Sequence, residues 1–156
     1  MITSQVSVVM GSRSDYSVME NCLKMLDKFG ISYEVKILSA HRMPELTLNY
    51  AKSLRERGIN VVIAGAGGAA HLAGVIAANT SLPVIAVPLN SSSLQGVDAL
   101  YSTVQMPTGV PVACMAIGIA GAKNAAILAA QILSLSSLEM EKKLKRYKKE
   151  LAKGKS

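Results

Sequence analysis

The chain has 156 residues, 50% of them apolar and 17% charged, with 17 Lys or Arg against 10 Asp or Glu. That is enough apolar material for one domain with a buried core, which excludes disorder over most of its length. The formal charge of +7 invites a nucleic-acid reading, but residues 139–156 alone carry eight basic and three acidic side chains, so most of the excess sits in a tail.

Strand and helix signals alternate along the chain. Residues 5–10 predict the first strand and 16–29 the first helix, with Met19, Leu23 and Leu26 on one face and Gly30 as a C-cap. Residues 33–38 predict the second strand and 45–57 the second helix, closed by Gly58. The third to fifth pairs are 60–64 with 69–79, 84–88 with 97–104, and 112–117 with 120–136. Each strand is rich in Val, Ile or Leu or nearly continuously apolar, as strands covered on both faces are. The pattern predicts a three-layer α/β/α sandwich on a parallel sheet.

No repeat or linker divides residues 1–138, which read as a single α/β domain. Residues 139–156 follow as a basic amphipathic helix and tail, with Met140, Leu144, Tyr147 and Leu151 at helical spacing. Its stripe is expected to dock on this subunit or a neighbour and its lysines to stay in water. It lacks interleaved aromatic platforms, so no nucleic-acid partner is expected. The longest apolar run, residues 110–122, is broken by Pro111, Gly118 and Gly121, and no membrane partner is expected. Nothing resembles a signal peptide, and Cys22 and Cys114 stand far apart, which fits free thiols in a reducing cytoplasm.

Between Arg57 and Lys123 there is no Lys or Arg, the only carboxylate is Asp98 and the only histidine is His71. Paired-carboxylate chemistry and metal binding have little material here. Both histidines, His41 and His71, fall in loops after strands, where a parallel sheet binds ligands. His41 is the stronger candidate for proton transfer, since Ser39 and Arg42 beside it offer a hydroxyl and a fixed cation. His71 lies among small residues and is read as shaping a pocket.

Gly11-Ser12-Arg13-Ser14-Asp15 opens the first helix and reads equally as an anion site or as a Ser or Asp N-cap. Gly65-Ala66-Gly67-Gly68-Ala69-Ala70 occupies the dinucleotide-fingerprint position, but no carboxylate follows at the ribose position. Its glycines read as close backbone approach to a flat ligand or as a tight turn. The loop of residues 90–96, Asn-Ser-Ser-Ser-Leu-Gln-Gly, reads as a cover over that ligand or an ordinary Ser-rich connection.

Together with Ser39-Ala-His-Arg-Met-Pro44, Ala64-Gly-Ala-Gly-Gly-Ala-Ala-His-Leu72, Gly96-Val-Asp-Ala-Leu-Tyr101, Gln105-Met-Pro107 and Asn124-Ala-Ala126, the Gly11 motif resembles the N5-carboxyaminoimidazole ribonucleotide mutase family. The resemblance covers residues 5–135 and implies a flavodoxin-like fold, a homo-octamer, a ribonucleotide substrate and no metal or organic cofactor. It implies His41 as the catalytic acid and base, with Ser12, Asp15 and Arg42 binding substrate and Ser14 and Ser39 helping. Gly67, Gly68, Ala70, His71 and Leu72 would complete the pocket. Met43, Ala73, Thr108 and Ile119 depart from the family pattern, the first two bearing on loop geometry. The alternatives are an aminoimidazole ribonucleotide carboxylase using free CO2, with the glycine-rich stretch resembling the mutase branch, and a non-catalytic nucleotide- or flavin-binding module.

Overall fold

Val6, Val8 and Met10 point to one face of β1 (Val6–Met10) and Ser7 and Val9 to the other, and all five are buried. A strand with apolar side chains on both faces needs cover on both, and the computed structural model, which describes residues 4–154, supplies it. β2 (Tyr33–Ile37) and β3 (Val61–Gly67) flank β1, with Val8 beside Val35 and Ile63. β4 (Val84–Leu89) and β5 (Ala113–Cys114) extend the sheet beyond β3. Every pair is parallel and the order is β2-β1-β3-β4-β5, the flavodoxin-like doubly wound arrangement.

α1 (Tyr16–Phe29) and α5 (Ile119–Ser134) cover the face of Val6, Val8 and Met10. Ala122, Ala125, Ala126, Ala129 and Ala130 are all buried on α5, and such small side chains let α1 come close. α2 (Pro44–Ser53) and α3 (Leu72–Ala78) cover the opposite face, where Ala51 and Ile76 pack with Val9, Val62 and Ala86. α4 (Val97–Val104) lies against β4 and β5.

The last helix, α6 (Leu138–Ala152), starts at Ser137, whose hydroxyl accepts the Met140 N–H at 3.2 Å. Met140, Leu144 and Tyr147 join the buried cluster under α1 and α5, and Tyr147 meets Phe29 edge-to-face at 5.3 Å. Leu151, the fourth member of the stripe, is exposed. Lys143 pairs with Glu139 at 3.0 Å and also donates to the Phe29 carbonyl at 2.9 Å. No helix among the described residues is long and apolar enough to cross a membrane.

β2, β5 and α2 differ from expectation, and α3 starts at Leu72, three residues after its expected start. β2 is expected to be covered on both faces, yet Val35 and Ile37 are 36% and 39% exposed. It is an edge strand with one partner, and its outer row alternates with Glu34 and Lys36 rather than running apolar. β5 keeps only two of its expected six residues; the chain continues beside β4 with isolated bonds from Met115 to Ala86 and from Gly118 to Pro88, which itself brings no N–H. α2 stops at Ser53, and residues 54–58 close as turns ending on Gly58 at φ 83°.

Candidate active site

The carboxyl ends of β1, β2, β3 and β4 release the loops that build one cavity of about 410 Å³. After β1, Ser12 caps a single turn of 3-10 helix, Arg13–Asp15. Its N–H donates to Asp15 Oδ2 at 2.8 Å, while its hydroxyl accepts from the Ser14 hydroxyl at 3.0 Å and, more weakly, from the Ser14 N–H at 3.4 Å. The N-cap reading of this segment is therefore realised, and the capping side chains also line the cavity. Asp15 is buried, and burial pushes its carboxyl above the ordinary value of 3.8, against the Ser12 and Gly11 N–H groups and the Arg42 charge, which pull it down.

After β2 the chain turns toward Pro44, which opens α2 at a position where a missing N–H does no harm. The Ser39 hydroxyl accepts from both the backbone N–H and Nε of Arg42 at 3.2 Å. The Arg42 guanidinium then reaches across to the Gly11 carbonyl, also at 3.2 Å, tying the second loop to the first. Met43 sits at the cap position of α2, and its carbonyl accepts from Thr47 Oγ1 at 2.9 Å.

β3 runs on through Gly67, three residues beyond its expected end. A Cβ on Gly67 would come within 1.8 Å of Ser91 Oγ, so the neighbouring loop's hydroxyl would have to turn aside. Gly68 turns the chain with φ 61°. α3 begins at Leu72, so His71 stands at its cap. There its Nδ1 lies 2.7 Å from His41 Nε2, with the ring planes at 85°.

Of the residues singled out from sequence, the cavity brings together Ser12, Ser14, Asp15, Ser39, His41, Arg42, Gly67, His71 and Leu72. Gly68 and Ala70 fall outside the lining, Ala70 being buried beneath it. Ser91 also lines the cavity; the sequence reads the loop of residues 90–96 as a cover or a connection and assigns no binding role to Ser91 itself. The rest of that loop turns inward on itself, Ser92 donating to Asp98 Oδ2 at 2.6 Å. Among the lining residues Arg42 is the one Lys or Arg and Asp15 the one carboxylate. Two imidazoles, one cation, one carboxylate and several hydroxyls can bind an anionic polar ligand and move protons on it.

The profile of a family described as AIR carboxylase matches residues 5–154. A Pseudomonas aeruginosa protein named N5-carboxyaminoimidazole ribonucleotide mutase is 54% identical over 147 residues, covering 94% of this chain and 90% of its own. A Thermotoga maritima protein of the same name is also 54% identical over 147 residues, covering 94% and 85%. The crystal structure of Treponema denticola PurE superposes with a TM-score of 0.84 at 33% identity, covering 96% of this chain and 92% of that one. The chain belongs to the AIR carboxylase family.

Proposed function

We propose that this protein is an N5-carboxyaminoimidazole ribonucleotide mutase of de novo purine (IMP) biosynthesis. It moves the carboxylate from the exocyclic nitrogen of its substrate to ring carbon 4, giving 4-carboxy-5-aminoimidazole ribonucleotide. The observation that carries this reading is the cavity itself, in which His41 stands beside a single cation and a single carboxylate. A rearrangement of this kind needs one proton carrier and no added acid, metal or organic cofactor. The names of relatives that match over nine-tenths of the chain favour the mutase.

In the proposed course, His41 protonates the exocyclic nitrogen as its bond to the carboxylate breaks, leaving aminoimidazole ribonucleotide and CO2. The CO2 then adds to carbon 4, and His41 removes that carbon's proton. Arg42 and the donors of the Ser12 turn suit the phosphate, and Asp15 is placed to accept from ribose hydroxyls. Ser14 and Ser39 help hold these groups, while Gly67, His71 and Leu72 shape the wall that keeps CO2 from escaping, with Gly68 and Ala70 shaping the loop behind it.

All the lining residues precede residue 139, which supports residues 1–138 as the catalytic domain and 139–156 as a docked helix and tail. Assembly as a homo-octamer in the cytoplasm belongs to the same reading. It is supported by Leu94, Val97, Tyr101 and Val104, apolar and exposed at helical spacing along α4 and its approach.

The deciding measurement is turnover of N5-carboxyaminoimidazole ribonucleotide beside turnover of aminoimidazole ribonucleotide with CO2. Strong activity on the first without ATP is expected. Activity confined to the second would make the protein a carboxylase, and none on either would leave a nucleotide-binding module.

A further inference from the structure

The connection from β2 to α2 carries Ser39, His41 and Arg42 into the cavity, yet none of residues 32–46 is buried. Leu38 and Ala40 pack only partly against the core. The first buried side chain after the connection is Thr47, one turn into α2 and fully shielded from solvent. Val would fill the same space, so packing alone does not call for a hydroxyl there, and a buried O–H needs a partner.

The Thr47 hydroxyl donates to the Met43 carbonyl at 2.9 Å and lies within 3.4 Å of the Ser39 carbonyl. These carbonyls mark the two ends of the turn that displays His41, which the Met43 N–H closes onto the Ser39 oxygen at 2.8 Å. A bond from Thr to the carbonyl four residues earlier is common within helices; the Ser39 carbonyl, eight residues earlier, lies outside the helix. Met43 stands at the cap position and brings no side-chain cap, so α2 meets the turn through Thr47 instead. Three residues on, along the same helix face, Tyr50 fixes α2 to the sheet: its hydroxyl meets Ser7 of β1 at 2.7 Å and donates to Glu34 of β2.

We infer that Thr47 is a positioning residue, whose buried hydroxyl fastens both ends of the Ser39–Met43 turn and so sets where His41 and Arg42 stand in the cavity. The reaction it serves rests on the mutase reading. A misplacement of about 1 Å at a reacting group costs up to about a hundredfold in rate, so one hydrogen bond behind the turn is enough to matter.

Two variants separate the hydroxyl from the packing. Thr47→Val keeps the shape and removes the donor, and each carbonyl keeps a backbone N–H, so the melting temperature should stay near the parent's. Its kcat on N5-carboxyaminoimidazole ribonucleotide should fall about tenfold. Thr47→Ser keeps the donor and loses a buried methyl, so it should melt lower. Its turnover should nevertheless stay within about threefold of the parent's. Activity and stability then change in opposite order, which a merely structural role would not produce. Hydrogen exchange of the Met43 amide reads the turn without substrate: it should quicken about tenfold in Thr47→Val and little in Thr47→Ser. Turnover that follows melting temperature in the two variants, a Thr47→Val kcat equal to the parent's, or a Met43 amide unmoved in Thr47→Val would overturn the positioning role. If the unaltered protein does not turn over the N5-carboxy compound, the mutase reading fails, while the exchange measurement still decides whether Thr47 holds the turn.

Discussion

Asp15 accepts the Ser12 N–H at 2.8 Å, so the carboxylate that faces the cavity also fastens the turn that carries it. Its folded-state carboxyl lies above the ordinary 3.8, chiefly through burial. The native protein thus takes up this proton before the unfolded chain does. Its contribution to stability is fully present below pH 3.8 and is lost as pH rises through the raised folded value. Asp15→Asn keeps an acceptor and removes the buried charge, so it should match or exceed the parent in stability at neutral pH, with the difference closing on acidification. Asp15→Ala should instead lose about 1 kcal/mol through the broken cap. Urea unfolding of the three proteins across pH checks this; an Asn variant as unstable as the Ala variant at pH 7 would contradict it.

His41→Asn keeps a polar group of similar reach but cannot carry a proton at working pH. Its kcat should fall by about 10²–10⁴-fold, the usual weight of a general acid or base. Binding of a nucleotide product, measured by calorimetry, should change little. Persistent turnover would remove His41 from the proton path.

Arg42→Lys keeps the charge and loses the planar fork that spans Ser39 and Gly11. The expected result is a KM raised about tenfold to a hundredfold, the weight of a charged hydrogen bond. The melting temperature should move little. An unchanged KM would show that the fork does not position the bound anion.

Ser7 is fully buried on β1, and its hydroxyl meets Tyr50 Oη at 2.7 Å. Tyr50 also donates to Glu34, which pairs with Arg57, and burial followed by Glu34 pushes the phenol up to about 12. Tyr50→Phe strands the Ser7 hydroxyl and should lose about 1–2 kcal/mol. Adding Ser7→Ala should recover part of that loss. Additive losses in the double variant would mean that the two hydroxyls are not coupled.

Tyr147→Ala removes a buried ring that meets Phe29 and should lose about 3 kcal/mol. Glu141→Gln breaks a 2.5 Å pair with Lys145 on the wet side of α6 and should leave the melting temperature nearly unmoved. The contrast, read by thermal unfolding, tests whether the apolar stripe or the charges hold the helix. Equal losses would favour the charges.

The alternation of strand and helix was legible because β1, β3 and β4 are apolar at both parities, a pattern only a doubly covered sheet requires. The exposure of Val35 and Ile37 was not read, since strand order sets the edge, although Glu34 and Lys36 alternating in the strand were a mark of it. Ser12, Asp15, His41 and Arg42 could be picked out because polar and charged residues at strand ends stand against an apolar background. The contact between His41 and His71 depends on β2 and β3 flanking β1. That places their strands two spacings, roughly 9.6 Å, apart, within reach of two side chains turned toward each other.

That arrangement makes β2 a fuse. His41 follows a strand with one ladder partner and an outer row open to water, whereas His71 follows a strand bonded on both sides. Any loosening of the sheet begins at such an edge. It would draw His41 and Arg42 out of the cavity while α1, α5 and the buried alanines between them stayed packed, so turnover would fail at milder conditions than helix content.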